Sequence, residues 1–265
     1  MTYRAIFAEH LFACGHIDAK ARFGGLLLGV ACGSVAIGTL PLGRTYIVPT
    51  AIAKVVSRHP GLRVSTIEGP YSQLIGSLRN GDIDVVFGAL RPDEFCQGLL
   101  TESLFSDRMS IIVRAGHTLA GRDSLKMSEL LSESWLLPAP NTPGRRLIDA
   151  SFRELGLTPP TPSVVTGDLA ILRQLLNSSD MLTAISPHQL MFEIRSGMLA
   201  ELPVELGITT RQIGLTLREG TMHSPATQAV LDAIREVVDD SPALKGARNN
   251  WQPSSAGSRP GQVGA

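Results

Sequence analysis

Val35-Ala36-Ile37-Gly38 is a short apolar run, and Thr39-Leu40-Pro41-Leu42-Gly43 after it is a turn-rich loop. Tyr46 to His59 then carries Ile47, Ile52, Val55 and Val56 at helical spacing. Pro60-Gly61 stops that helix, because proline cannot continue one and glycine accepts the backbone angles of a stop. Leu62-Arg63-Val64-Ser65-Thr66-Ile67 alternates apolar and polar residues, the period of a strand. Glu68-Gly69-Pro70-Tyr71-Ser72 is a second loop. Leu74, Ile75 and Leu78 form one side of a short helix that Asn80-Gly81 closes. Ile83-Asp84-Val85-Val86-Phe87-Gly88 is almost continuously apolar, as a central strand buried on both faces requires. Two βα units in succession imply right-handed crossovers and a mostly parallel sheet under helices. Such sheets bind ligands at the carboxyl ends of their strands, where both loops lie.

Composition narrows the function classes. The chain has 265 residues, 43% of them hydrophobic, enough for one or two domains with real cores. Its formal net charge is zero, so the basic footprint of a nucleic-acid-binding domain is missing. Aromatic content of 5% argues against a stacking platform for single strands. Cys14, Cys32 and Cys96 are odd in number and widely spaced, which fits neither a disulfide framework nor a zinc site and suits a reducing cytoplasm. No run reaches the roughly 18 apolar residues that span a membrane. The segment from Phe23 to Cys32 has two readings: a signal-peptide core ending in a lipid-modified cysteine, or a helix end and linker. Glu9 and Asp18 before it, and Gly29 three residues ahead of Cys32, favour the second.

Residues 1–23 read as a helix with a broad apolar side. After Leu90, Arg91-Pro92-Asp93-Glu94 is a plausible crossover. Leu99 to Leu104 is a weak strand and Met109 to Val113 a stronger one. Met127 to Leu131 is a short helix, Trp135 to Pro138 a strand, and Ala139 to Gly144 the loop after it. Helices follow from Pro143 to Leu155, from Leu169 to Leu176 under an Asp168 cap, and from Ser186-Pro187 to Arg195. Strands are expected at Leu182 to Ile185, Leu199 to Val204 and Arg211 to Leu217. In the last helix Ala226, Ala229, Val230, Ala233, Ile234 and Val237 keep the 3.6-residue period. The second half thus repeats the plan of the first, and two α/β lobes with crossovers near 90 and 210 leave a cleft between them.

The same device opens three helices: Thr142-Pro143, Ser186-Pro187 and Ser224-Pro225. The hydroxyl accepts from an orphan N–H, and proline fills the first helical position. Each is either ordinary capping or part of a site, since free N–H groups at a helix start attract anionic or polyhydroxy ligands. Ser72 in the first half is open to both readings. Arg145 and Arg146 follow the Asn141–Gly144 loop, either to hold a carboxylate or as a solvated first turn. Catalytic and metal residues are expected to be absent. The six histidines form no HxxxH or HExxH pattern, and there is neither a GxSxG elbow nor a P-loop. Glu68 and Asp84 form a carboxylate pair only on a strained reading; a strand end and a helix-to-strand turn explain them more simply.

Ile37-Gly38, Ile47-Val48-Pro49, Arg58-His59-Pro60-Gly61, Glu68-Gly69 and Leu78-Arg79-Asn80-Gly81-Asp82-Ile83-Asp84, in that order, resemble the effector-binding domain of LysR-type transcriptional regulators. Pro138 to Arg145, Asp180-Met181-Leu182-Thr183 and Ser186-Pro187 continue the resemblance over residues 34–240, nearest the branch of the galactose-binding-protein regulators. The resemblance implies an α/β, two-lobed periplasmic-binding-protein-like (type 2) fold, each lobe a mixed, mostly parallel sheet flanked by helices. It implies lobe I from 34–90 and 211–240, lobe II from 91–210 and a linker remnant at 1–33; beyond Asp240 the turn to Gly, Pro, Ser, Asn and Gln itself reads as a disordered tail at 241–265. It implies a small-molecule inducer held by Thr39, Leu40, Pro41, Leu42, Gly43, Ser72, Asn141, Thr142, Thr166 and Ser186, with no cofactor. Leu40 and Leu42 stand where many relatives carry serine or threonine, which favours a partly apolar inducer over a strongly anionic one. The expected assembly is a cytoplasmic homodimer or tetramer, or a mixed oligomer with a full-length regulator. DNA contact is expected only in an intact relative, because 33 residues before the sheet are too few for a winged helix-turn-helix. The alternative is an exported solute-binding protein of a transporter.

Overall fold

The computed structural model describes residues 31–92, 95–207 and 209–245. The first lobe is a five-stranded sheet with helices on both faces. Its strands are β1 (Gly33–Thr39), β2 (Leu62–Glu68), β3 (Val85–Ala89), β4 (Leu99–Asp107) and β10 (Arg211–Arg218), in the order β2-β1-β3-β10-β4. β1 pairs parallel with β2 and β3, whereas β10 runs antiparallel to both β3 and β4. A 3-10 turn, Pro41–Arg44, leads from β1 into α1 (Ile47–Arg58); α2 (Tyr71–Asn80) joins β2 to β3. α2 ends at Gly81, whose φ of 83° is the left-handed conformation a helix stop favours and glycine tolerates.

Alternation along β1 and β3 divides the core. Val35, Ile37, Val85 and Phe87 point to the face covered by α1 and α6 (Pro225–Asp240), among Val55, Val230, Ile234 and Val237. Val86 points the other way, into a smaller cluster with Leu74, Ile75, Leu78 and Ile83. Burial on both faces explains the unbroken apolar run of β3. Lys54 and Arg58 of α1 each reach Glu236 of α6, across 2.9 and 2.6 Å. Those two cations hold the Glu236 carboxyl down at about 2, through hydrogen bonds first from Arg58 and then from Lys54.

The second lobe is built on β5 (Ser110–Arg114), antiparallel to β8 (Thr183–Ile185) and β9 (Leu199–Glu201). A parallel pair, β6 (Leu136–Leu137) with β7 (Val164–Val165), adjoins β8 through the Trp135–Leu182 bridge. The helices of this lobe are α3 (Pro143–Glu154), α4 (Leu169–Ser178) and α5 (Met191–Arg195), the last preceded by a 3-10 turn at Pro187–Leu190. Trp135, fully buried, meets Phe152 edge-on at 5.6 Å and donates from Nε1 to the Leu130 carbonyl at 2.9 Å. α7 (Pro242–Lys245) follows α6, and Leu244 sits in the first lobe's core.

Two expectations shift. The first crossover lies at Asp107–Arg108 and not near residue 90, because β4 completes the first sheet: Leu99 and Phe105 are buried and the whole strand pairs with β10. The tail expected from residue 241 begins with a short helix, and its remainder, like the helix expected over 1–23, lies outside the described residues.

Candidate functional site

A cavity of about 590 Å³ lies between the lobes. Pro41, Arg44 and Thr45 line it from the first lobe; Gly167, Asp168, Leu169, Arg173, Phe192 and Glu193 line it from the second. Its size falls within the ordinary range for small-molecule pockets, roughly 300–1,000 Å³. Both walls are loops that open a helix, and the two are held at one end by direct contact. Thr45 Oγ1 donates to the Gln189 carbonyl at 3.3 Å, and Arg173 Nη2 donates to the same carbonyl at 3.0 Å. Tyr46 and Phe192 meet edge-on, 6.3 Å between centroids. Arg173 Nε lies 2.8 Å from Glu193 Oε1, close enough for an ion pair but outside hydrogen-bond alignment; Glu193 Oε2 is buried with no donor among the described residues.

The start of α4 is already occupied. Asp168 accepts from the N–H groups of Ala170 and Ile171 at 2.8 and 2.9 Å, so its own carboxylate satisfies the donors an anion would seek there.

The surroundings of the crossover have a different character. Tyr71 opens α2, and the Arg91 guanidinium sits over its ring at 4.8 Å. The Tyr71 hydroxyl is buried without a hydrogen-bond partner among the described residues, and burial pushes its pKa up. Leu90 N–H donates to the Gln212 carbonyl, which brings Arg91 beside Arg211. Burial pulls the Arg91 guanidinium below the usual arginine range, and the charges of Arg211 and Arg146 add to that. Arg146 stands in the first turn of α3, whose Gly144 packs on Met109 next to the crossover. Arg211 Nε donates to Asp107 Oδ2 at 3.0 Å, and its Nη2 forms an ion pair with the same oxygen at 2.9 Å.

Of the ten residues expected to hold a ligand, Pro41 lines the cavity. Thr39 is buried at the end of β1, beside a groove it shares with Val48, Pro49 and Thr66. Leu42 belongs to the core under α1, and Gly43 is pressed against Phe87, where an added Cβ would lie 2.5 Å from Cδ1. Leu40 packs over Gly88 and among the α2-side cluster. The two leucines therefore fill the first lobe's interior, and the partly apolar inducer inferred from them loses its footing. Ser72 is exposed in the first turn of α2, and Asn141 is exposed before α3. Thr142 caps α3: its Oγ1 accepts from Arg145 N–H at 3.3 Å and donates to the Ala139 carbonyl at 2.8 Å. Thr166 Oγ1 accepts from Asp168 N–H at 3.1 Å. Ser186 is fully buried, and its hydroxyl proton goes to Asp107. Glu68 and Asp84 stay apart: Glu68 pairs with Arg44 at 2.6 Å, and Asp84 accepts from Ala36 N–H at 2.8 Å.

Arg44, Thr45, Arg173, Phe192 and Glu193 were not expected. Arg44 and Thr45 directly follow the expected loop; the other three come from helices whose approach to that loop is a tertiary fact. Among the described residues no group of three or more His, Cys, Asp or Glu is arranged to hold a metal.

Residues 29–239 match the LysR substrate binding domain family. Over 212 residues the chain is 43% identical to the HTH-type transcriptional regulator GalR of Pseudomonas putida, covering 80% of this chain and 53% of that regulator. It is 29% identical over 206 residues to the regulator PcaQ of Agrobacterium fabrum, 78% of this chain and 66% of the relative. Thus it spans between half and two thirds of the length of these relatives. Among solved structures it resembles the CcmR regulatory domain of Synechocystis in complex with 2-PG, with a TM-score of 0.67, 19% identity, and coverage of 77% and 97% of the two chains. The effector binding domain of QuiR in complex with shikimate gives 0.63 at 17% identity, over 84% and 100%.

Proposed function

The chain belongs to the LysR substrate binding domain family, and we propose that it is the ligand-sensing part of a cytoplasmic transcriptional regulator. A small molecule enters the interlobe cleft, contacts the Pro41–Thr45 turn and the Gly167–Leu169 loop together, and favours one separation of the lobes. Ligand energy moves such an equilibrium only through contacts that differ between the open and closed arrangements. Groups contributed by both lobes supply that difference. The altered lobe angle changes how subunits pack in a homo-oligomer, or in a mixed oligomer with a full-length regulator, and through them how DNA is held. No step of this scheme requires bond making, and the protein acts as a sensor and not as an enzyme.

The observation that carries the reading is the cavity of about 590 Å³ shared by two lobes, with an arginine from each in its lining. The exported solute-binding alternative gains nothing from the relatives GalR and PcaQ, both transcriptional regulators. Thermal-shift titration of the purified chain against sugars and small carboxylic acids tests the proposal. A saturable rise in Tm with at least one compound, weakened in Arg173→Gln, supports it; no shift with any compound in a broad panel overturns it.

A further inference from the structure

Between Ser186 and Phe192 the second lobe grips the first along one short segment. Ser186 Oγ donates to Asp107 at the end of β4, the Gln189 carbonyl accepts from Thr45 Oγ1, and Phe192 meets Tyr46 edge-on. His188 stands inside this row. Its ring packs edge-on against Phe105 of β4, 5.8 Å between centroids, and Phe105 belongs to the first lobe's core. Imidazole is the side chain whose ordinary pKa places a change of charge near neutral pH. The contact between the lobes therefore contains a group that can switch its own charge.

The charges that face the ring leave an imidazolium without support. β4 offers Asp107, but Oδ1 already takes the Ser186 hydroxyl and Oδ2 the Arg211 guanidinium of β10. β9 offers Glu201, which pairs with Arg108 of the crossover at 3.2 Å. α5 brings a further cation, Arg195. The two carboxylates are each matched to an arginine, and the third arginine leaves the surroundings positive. Burial acts in the same sense, because a charged ring held away from water loses its hydration. A proton on His188 is accommodated by withdrawing the ring from Phe105 toward solvent. Ser186 and Gln189, close neighbours in the chain, are drawn away with it.

We propose that the segment from Ser186 to Phe192 is a proton-sensitive latch between the lobes: with His188 neutral it holds β4 and the Thr45 turn, and with His188 protonated it lets go and the lobes part. Release belongs to the pH range beneath the ordinary histidine value of 6.5, since burial lowers the folded ring's pKa. The latch is a property of the chain by itself and stands whether or not the cleft senses a ligand. It bears on sensing all the same, because Phe192 and Glu193 line the cavity and move when the segment moves.

Double electron–electron resonance on the full chain tests the latch. Spin labels are carried by Ala53→Cys in α1 and Gln174→Cys in α4, exposed positions on the two lobes beside the Thr45–Gln189 contact. Cys14→Ser, Cys32→Ser and Cys96→Ser clear the background, and an excess of unlabelled chain confines the distances to single molecules. The expected result is a longer label-to-label distance at about pH 5 than at about pH 8, reversed on return to the higher pH, with the far-UV circular dichroism unchanged. His188→Phe keeps an aromatic ring against Phe105 and cannot titrate, so its distance should stay short at both pH values. His188→Gln serves as the second non-titrating variant if the phenylalanine disturbs packing. A wild-type distance that does not respond to pH overturns the proposal, as does a lengthening that persists in both variants. A shortening at low pH, the sign of an imidazolium drawn onto Asp107, overturns it as well. So does loss of the circular dichroism signal in step with the distance, since the fold and not the latch has then opened.

Discussion

Ser186 Oγ donates a hydrogen bond to Asp107 Oδ1 across 2.6 Å, joining the end of the second lobe's β8 to the last residue of the first lobe's β4. Asp107 has no exposed side-chain surface, and its other oxygen holds Arg211 at the start of β10. One carboxylate thus binds both strands that lead between the lobes and the element that faces them. Hydrogen bonds to charged groups contribute about 1.5–3 kcal/mol, so Ser186→Ala should lower the unfolding free energy by about 2 kcal/mol. Asp107→Ala, which strands a mostly buried guanidinium, should cost about 3 kcal/mol or more. Urea denaturation of the two variants checks the order; a Ser186→Ala midpoint equal to wild type would remove the pin.

His188 gives the fold a dependence on pH. Burial lowers its pKa from the ordinary 6.5, while the charges of Asp107 and Glu201 act in the opposite sense and those of Arg108 and Arg195 reinforce the drop. Its ring stands edge-on to Phe105 at 5.8 Å. The unfolded chain takes up a proton near pH 6.5, and the folded chain only at lower pH. Over that window the unfolded state holds more protons, so stability falls as pH drops below 6.5 and this loss ends beneath the folded pKa. His188→Phe should flatten that part of the profile, read as the urea midpoint between about pH 8 and about pH 5. An unchanged slope in the variant would assign it to other groups.

Two glycines make opposite predictions. Gly214 lies in β10 where the register with β4 shifts, and an added Cβ would overlap the Glu102 carbonyl oxygen. Gly214→Ala should therefore disrupt the central pairing and cost several kcal/mol. Gly76 is inside α2 with nothing within 4 Å of an added Cβ. Gly76→Ala should stabilise by about 0.5–1 kcal/mol, because alanine loses less backbone freedom in a helix. Thermal melts of both separate steric conflict from helix propensity.

In the cleft, Thr45→Val removes the first lobe's hydrogen bond to the Gln189 carbonyl, and Arg173→Gln weakens the second lobe's. Each variant should shift the affinity for any ligand that stabilises the wild type, and the double variant should depart from additivity because the two donors share one acceptor. Calorimetric titration of the four proteins forms the cycle. Additive effects would place the two residues in independent roles.

The first lobe was largely legible because its information is local. The helices ended by Pro60-Gly61 and Gly81, and the alternation in Leu62–Ile67, each depend on neighbours in sequence. β4 was harder: Leu99–Asp107 has a bulged register and exposed Leu100 and Ser103, so its weak pattern hid its place beside β10. The cleft was the least legible. In the expected ligand loop after β1, Thr39, Leu42 and Gly43 turn inward, and only the folded chain reveals which side of a 3-10 turn faces a cavity. Arg173 and Phe192 come from helices far along the chain, and no spacing rule links them to Pro41. Ser186 carried the right signal for a cap, yet its hydroxyl serves Asp107, a partner 79 residues away.

β10 lies between β3 and β4, and among the described residues β4 pairs with no other strand of its sheet. During synthesis, then, residues 33–107 leave the ribosome with a gap where their central strand belongs. The intervening segment, 108–210, emerges next with its own hydrophobic centre and is free to fold first. Only when Arg211–Arg218 appears can the earlier strands close around it, which makes the first lobe to be translated the last to be finished.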